Sequence, residues 1–369
     1  MNGVEFSKLL AADRVTYENV LNSAQDGIYL YGAGFVGTWA VGYFEQLGIP
    51  VHGFVDSDER KRGQTVAGKP IYCLSDLNQS QINKIIISSR HAVPVIKARL
   101  AQVNSEAISV DAFVVHHMYP EWGERLEEWL SHDKKSLGTF WAVLVAMLTG
   151  HTGSLAPFAD GRPFFDRFGF FNRDGEIFVD AGAYVGDSLE RFIWSVNGVF
   201  REIHAFEPGK IQFKALEKRV ERLREEWALP AEKVKINNKY LSSDTEQRCL
   251  LDTYSLTNFT VLHQPLIDDT QSEVSSMMQG VALDSYINGG NISFIKVDVE
   301  GSERALLEGA QHVIARCRPR IALSVYHYPP DIFELPEIIK CLHPDYQLAL
   351  GHHSFHMMET VLYCRDKND

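Results

Sequence analysis

The stretch Phe178-Val-Asp-Ala-Gly-Ala-Tyr-Val-Gly-Asp-Ser188 leaves this chain few ways to fold. Glu176-Ile-Phe-Val-Asp180 reads as a buried strand, Gly182 breaks it into a turn of small residues, and a helix restarts with Asp187 or Ser188 as its cap. A glycine lets backbone pass close to a ligand, and a helix start just beyond offers unpaired N–H groups. A second short strand ends in Glu207-Pro208, and a third, Ile292-Ser-Phe-Ile-Lys-Val-Asp298, runs on into Val-Glu300-Gly301. The acid at the tip of a second parallel strand is where a ribose diol is usually held. Together the three strands put Asp180, Glu207 and Asp298 on the carboxyl edge of one sheet, the ligand side of a doubly wound fold.

The four segments that carry this pattern resemble the FkbM-type methyltransferases. They are Asp180-x-Gly-Ala-x-x-Gly-Asp-Ser188, Ala205-Phe-Glu-Pro208, Leu283-Asp-Ser-Tyr-Ile287 and Lys296-Val-Asp-Val-Glu-Gly-Ser-Glu303, in that order, and the likeness runs from about Phe164 to Cys364. The resemblance implies S-adenosylmethionine (SAM) as cofactor and a hydroxyl acceptor on a sugar or natural product. It implies Glu207, followed by Pro208, at the ribose, and the backbone of Gly182, Ala183, Tyr184 and Gly186 at the methionine part. Asp180 would then orient its ammonium, with Asp187 and Ser188 opening the helix. It also implies a class I methyltransferase sheet, closed by an antiparallel hairpin from Tyr346–Leu350 and Glu359–Cys364.

Methyl transfer to oxygen also needs a home for the hydroxyl proton. The candidates at strand ends are Asp298, Glu300, His327 and the pair His352-His353, with Asp298, His327 and Glu300 preferred. Each has a competing structural reading: Asp298 as an orienting group, Glu300 as a helix-capping acid, the histidines as hydrogen-bonded core residues. No ligand spacing calls for a metal. Arg162, Phe164 and Phe165 are expected to roof the pocket.

Upstream, Gly27-Ile-Tyr-Leu-Tyr-Gly32-Ala-Gly34-Phe-Val-Gly37 is a second strand–turn–helix with the dinucleotide-type glycine spacing, and Val51-His-Gly-Phe-Val-Asp56 ends in an acid. Lys84–Ser88 reads as a buried parallel strand and Ile108–Val115 as another, after an opening amphipathic helix from Met1 to Asn22. Gly53-Phe-Val-Asp56 with Gly68-Lys-Pro-Ile71 resembles the nucleotide-sugar-binding domain that precedes some sugar-modifying acyltransferases. Gly32, Gly34, Gly37 and Asp56 therefore form a candidate second nucleotide site. The competing reading is that these glycines only let strand and helix pack. The expected fold is α/β with two Rossmann-like doubly wound domains: 1–118 as an accessory domain, 119–163 as a helical connector and 164–369 as the methyltransferase. In the connector, Trp122, Leu126, Trp129 and Leu130 stand at helical spacing and are expected in the core.

A net charge of −12 disfavours a nucleic-acid surface, since phosphate contacts need clustered Lys and Arg. The five cysteines have neither zinc nor disulfide spacing, and the chain opens without a basic-then-apolar leader pattern. The apolar run Phe140–Leu148 is too short to span a bilayer, so a cytoplasmic location is expected. The reading is a SAM-dependent O-methyltransferase acting on a sugar-like small molecule. The alternatives are a nucleotide-sugar-modifying enzyme with its chemistry in the first domain, and a non-catalytic sensor of SAM or a nucleotide. Oligomeric state leaves no mark in the sequence.

Overall fold

The computed structural model describes residues 3–161, 163–165, 175–244, 248–252, 261–262 and 275–368. They form two compact units, one of Met1–Gly161 with Tyr326–Phe333 and His352–Thr360, the other of Arg162–Val325 with Glu334–Gly351 and Val361–Asp369.

In the first unit the order is α1 (Gly3–Ser23), β1 (Ile28–Tyr31), α2 (Phe35–Gln46), β2 (Val51–Val55), β3 (Thr65–Val66), β4 (Lys69–Tyr72), α3 (Gln79–Ile82), β5 (Ile85–Ile87), α4 (Val93–Ala101), α5 (Val110–Leu130) and α6 (Lys134–Thr149). The sheet runs β3-β4-β2-β1-β5, with β4, β2, β1 and β5 parallel and β3 antiparallel at the edge. Every residue of β1 and β5 is buried, as expected for parallel strands covered on both faces.

Three local expectations change here. The opening helix buries Phe6 and Val20, while Leu9 and Val15 stand exposed, so its apolar stripe is narrower than the sequence suggested. Ile108–Val115 contributes one isolated bridge, Ile87 with Ser109, and then becomes α5, because the Ser109 side chain accepts from Ala112 N and starts a helix. In α5, Leu126 and Leu130 are buried, but Trp122 and Trp129 are half-buried and Arg125 lies over the Trp122 ring. Helix α6 is capped by Asp133, which accepts from Lys135 N, and stops at Gly150 in the left-handed region. Among the described residues no helix is long and apolar enough to cross a membrane.

The second unit continues with β6 (Ile177–Ala181), α7 (Asp187–Ser195), β7 (Glu202–Phe206), α8 (Lys210–Glu226), β8 (Val234–Asn237), β9 (Tyr240–Leu241), β10 (Arg248–Asp252), β11 (Val261–Leu262), β12 (Ser275–Val281), α9 (Leu283–Ile287), β13 (Phe294–Val297), α10 (Glu303–Glu308), α11 (Gln311–Cys317), β14 (Arg320–Ser324), α12 (Asp331–Leu342), β15 (Tyr346–His352) and β16 (Thr360–Asp366). Seven strands lie in the order β15-β16-β14-β13-β6-β7-β8, with β16 antiparallel to β14. This is the expected class I arrangement with its closing hairpin. A small second sheet runs β11-β10-β12-β9, with β10 antiparallel to β11 and β12 and β12 parallel to β9.

Candidate functional site

Register places the site. Asp180 of β6 pairs with Lys296 of β13 on one side and with Ala205 of β7 on the other, and Val297 pairs with Leu323 of β14. Extending each strand by one residue sets Ser324, Asp298, Gly182 and Glu207 side by side along the carboxyl edge. The Asp180–Lys296 pair lies one same-face layer beneath, about 7 Å down the strands.

Gly182 is required there. Its φ is +79°, and a Cβ would lie 1.8 Å from the Asp298 carbonyl oxygen. The turn it starts is held by β7: Gly182 N and Ala183 N both donate to Phe206 O, at 3.0 and 2.9 Å. Tyr184 follows in the left-handed region, half exposed, and its N–H donates to Glu207 Oε2 at 2.8 Å. Gly186, also left-handed, precedes α7. Neither Asp187 nor Ser188 caps that helix, as the sequence had suggested. Asp187 is its first residue, an acid well placed against the helix dipole, and Ser188 Oγ turns inward to donate to Asp180 Oδ2 at 2.6 Å.

Glu207 is 5% exposed, and its second oxygen, Oε1, accepts from Gly209 N at 2.7 Å. Burial pushes its carboxyl up to about 7, against the lowering effect of the Gly209 and Tyr184 bonds. Asn238 Nδ2 fixes the corner behind it, donating to Glu207 O at 2.9 Å and Pro208 O at 3.0 Å.

Lys296 is the residue that sequence reasoning missed. It is 2% exposed, donates to Gly182 O at 2.6 Å, and lies 3.3 Å from Asp180 Oδ1. Burial works against its charge, but Asp180, Asp298 and Asp187 outweigh it and hold the ammonium above its ordinary range. A Lys at an inward position of an otherwise apolar strand was the available signal. Asp298 is half-buried, and its Oδ1 accepts from Ser324 Oγ at 2.9 Å. Glu300 does not cap the next helix: it sits at φ +52° with Gly301 at +94°, and the cap position of α10 is Ser302, which makes no side-chain capping bond.

The histidine candidates fall in segments that group with the first unit. His327, buried, belongs to the Tyr326–Phe333 segment that groups with the first unit, where its backbone carbonyl accepts from Arg90 at 3.3 Å. His352 Nδ1 pairs with Thr360 Oγ1, and burial pulls its ring down to about 4. His353 pairs with Asp160. Of the residues expected to roof the pocket, Phe164 and Phe165 are buried, with Phe164 against Lys296, and Arg162 lies outside the described residues. Among the described residues no group of three or more His, Cys, Asp or Glu is arranged to hold a metal ion.

The first unit repeats the turn. Gly32 has φ +121° and a Cβ there would meet Ser89, while a Cβ on Gly37 would lie 2.1 Å from Gly32 O. Gly34 differs: its φ is −119°, and a Cβ would meet nothing within 4 Å. Asp56 accepts from Ala33 N, Asp58 N and Lys61 Nζ, at 3.1, 2.9 and 2.9 Å. Burial would raise its carboxyl, but these three bonds outweigh it and hold it below the usual range.

The Methyltransferase FkbM domain matches residues 180–362. The whole chain is similar to the crystal structure of a methyltransferase FkbM from Methylobacillus flagellatus KT, at 20% identity, 98% coverage of each chain and a TM-score of 0.60. An rRNA methylase from Streptococcus thermophilus (16% identity, 58% of this chain and 91% of that one, TM-score 0.32) resembles it more distantly. So does the Aeropyrum pernix fibrillarin with bound S-adenosyl-L-methionine (9% identity, 52% and 67%, TM-score 0.32). No curated protein matches. Residues 180–362 of this chain are thus an FkbM-family methyltransferase domain.

Proposed function

We propose that the second unit binds SAM at the Gly182–Ser188 turn and Glu207, and methylates a hydroxyl oxygen on a sugar or other polyhydroxylated small molecule. The observation that carries this is the edge row Glu207–Gly182–Asp298, which sets a glycine turn between two strand-end carboxylates. The lining suits the cofactor's chemistry: it offers acceptors and negative charge to a molecule that carries a sulfonium, an ammonium and a ribose diol. Bound there, SAM would supply an activated methyl group.

The chain's own part is mostly positioning, since holding reactants aligned is worth about 7–11 kcal/mol in well-oriented systems. Glu207, fixed through both oxygens by Tyr184 and Gly209, takes the ribose hydroxyls as a carboxylate. Asp298, oriented by Ser324, receives the acceptor's hydroxyl proton as the oxygen–methyl bond forms. Glu300 and His327 remain the other candidates for that proton. Calorimetric titration with SAM tests the cofactor half: wild type binds and Glu207→Ala loses most affinity, whereas no heat from folded wild type would defeat the reading. With an acceptor in hand, Asp298→Asn lowers turnover by about 10²–10⁴-fold at nearly unchanged SAM affinity. Full turnover would hand the proton to His327 or Glu300, each checked by its own alanine variant.

For the first unit we retain ligand binding at the Gly32–Gly37 turn, supported by Gly34, which packing does not require to be glycine. Titration with NAD and with UDP-sugars tests it. A heat seen with wild type and lost in Gly34→Val marks a nucleotide site, and silence with both leaves the turn a packing device.

A further inference from the structure

The carbonyl of the first glycine is held differently in the two turns. In the first unit the neighbouring strand end supplies a neutral donor, Ser88 Oγ, 2.8 Å from Gly32 O. In the second, the equivalent neighbour β13 sends the Lys296 ammonium to Gly182 O at 2.6 Å. A buried ammonium loses its hydration, a penalty the hydroxyl largely escapes, so gripping a carbonyl does not by itself call for a lysine.

The charge is matched from below. Asp180 lies 3.3 Å away and is 0% exposed, and its other oxygen is taken by Ser188 Oγ at the start of α7. Phe164 closes the remaining side, its ring centre 5.1 Å from Nζ. No part of Asp180 reaches a surface from which a ligand can approach. On the SAM-binding reading above, we infer that Lys296 is a positioning residue for the cofactor turn, and that Asp180 is its counter-ion and not a contact of SAM. The ammonium grips the turn at Gly182 O, and the Asp180–Ser188 bond ties the same cation to the first turn of α7. The backbone from Gly182 to Ser188 is thereby set from beneath before any ligand arrives.

The test is SAM calorimetry, with thermal unfolding alongside, on wild type, Asp180→Asn, Lys296→Met and two pair-neutral doubles. Each single variant strands a buried charge and lowers Tm, and neutralising both partners restores it. Asp180→Asn/Lys296→Met is expected to fold and to bind SAM about tenfold or more weakly, having lost a charged hydrogen bond to the turn. Asp180→Asn/Lys296→Gln, whose amide can donate to Gly182 O, regains most of that affinity. Wild-type affinity in the folded Met double overturns the proposal. A folded Gln double as weak as the Met double overturns it too, because Asp180 is then the contact that matters. If a double fails to fold, Lys296→Arg carries the test: it keeps the charge and moves the donor, so unchanged affinity speaks against positioning. Wild type that ignores SAM defeats the methyltransferase reading itself, a result distinct from all of these.

Discussion

The two units solve the same problem twice, with one difference at the second strand's acid. In each, a glycine turn follows the first strand, and the acid ending the next strand accepts a backbone N–H from that turn and another from two residues further on. Asp56 adds a bond from Lys61, and against the raising effect of burial the bonds from Asp58, Lys61 and Ala33 together keep its carboxyl low. Glu207 is held by N–H groups of Tyr184 and Gly209, and burial carries its carboxyl up to about 7. The first acid is satisfied as the chain folds. The second has backbone N–H partners, and burial outweighs them. Shared architecture therefore does not imply shared duty, and the acid's partners separate the two more sharply than the glycine spacing does.

The strongest way to break the comparison is at the glycines. Gly182→Ala adds a Cβ to a left-handed backbone against Asp298 O, and a loss of about 3 kcal/mol in urea unfolding is expected, with SAM binding gone. Gly34→Ala meets open space and should cost under about 1 kcal/mol. Equal losses would show that Gly34 carries a packing load after all. Next come the acids. Glu207→Gln should weaken SAM by about ten- to a hundredfold, losing a charge-assisted contact, and should also lower stability by about 1–3 kcal/mol, since its NH2 faces one of the two backbone N–H groups that the carboxylate accepts from. Asp56→Asn should lower stability by about 1–2 kcal/mol and leave SAM affinity alone.

The smallest effect is in pH. Glu207 is raised on folding, so its contribution to stability is whole below the ordinary glutamate range and is lost as pH rises through about 7. Asp56 is lowered, so its contribution is present above the ordinary aspartate range and lost on acidification. Urea unfolding across this range should show opposite slopes, each removed by the amide variant at its own site. Because the ribose clamp is the carboxylate form, SAM affinity should fall by up to about tenfold per pH unit below 7, with proton release on binding. A flat affinity profile would mean that Glu207 is ionised throughout.

How much of this the sequence carried follows the range of the interactions. Both glycine turns and the strand-end acids Asp56, Glu207 and Asp298 are legible because each is a local pattern of few residues. The order of the methyltransferase strands came with the family resemblance. What stayed hidden depends on pairing between distant segments. Lys296 meets Asp180 only because β13 lies beside β6, and no periodicity announces that. Ser188 reads as a helix cap until the buried acid behind it appears. Ile108–Val115 is apolar and β-branched enough for a strand, yet Ser109 starts a helix there, since capping outweighs propensity at that residue. His327 follows β14 in sequence but groups with the other unit, where Arg90 holds its carbonyl.

The position of β16 between β15 and β14 has a consequence for how the protein is made. During synthesis the five parallel strands can assemble once Ser324 has emerged, but the slot beside β14 stays open until Thr360–Asp366 arrives. An interior edge of an apolar sheet is thus bare while residues 325–359 are made, and an unpaired strand can recruit a neighbour. The first unit waits as well, since it takes in Tyr326–Phe333 and His352–Thr360. The first unit is thus completed only at Thr360 and the second only as β16 follows it, so neither can close while residues 334–351 are being made.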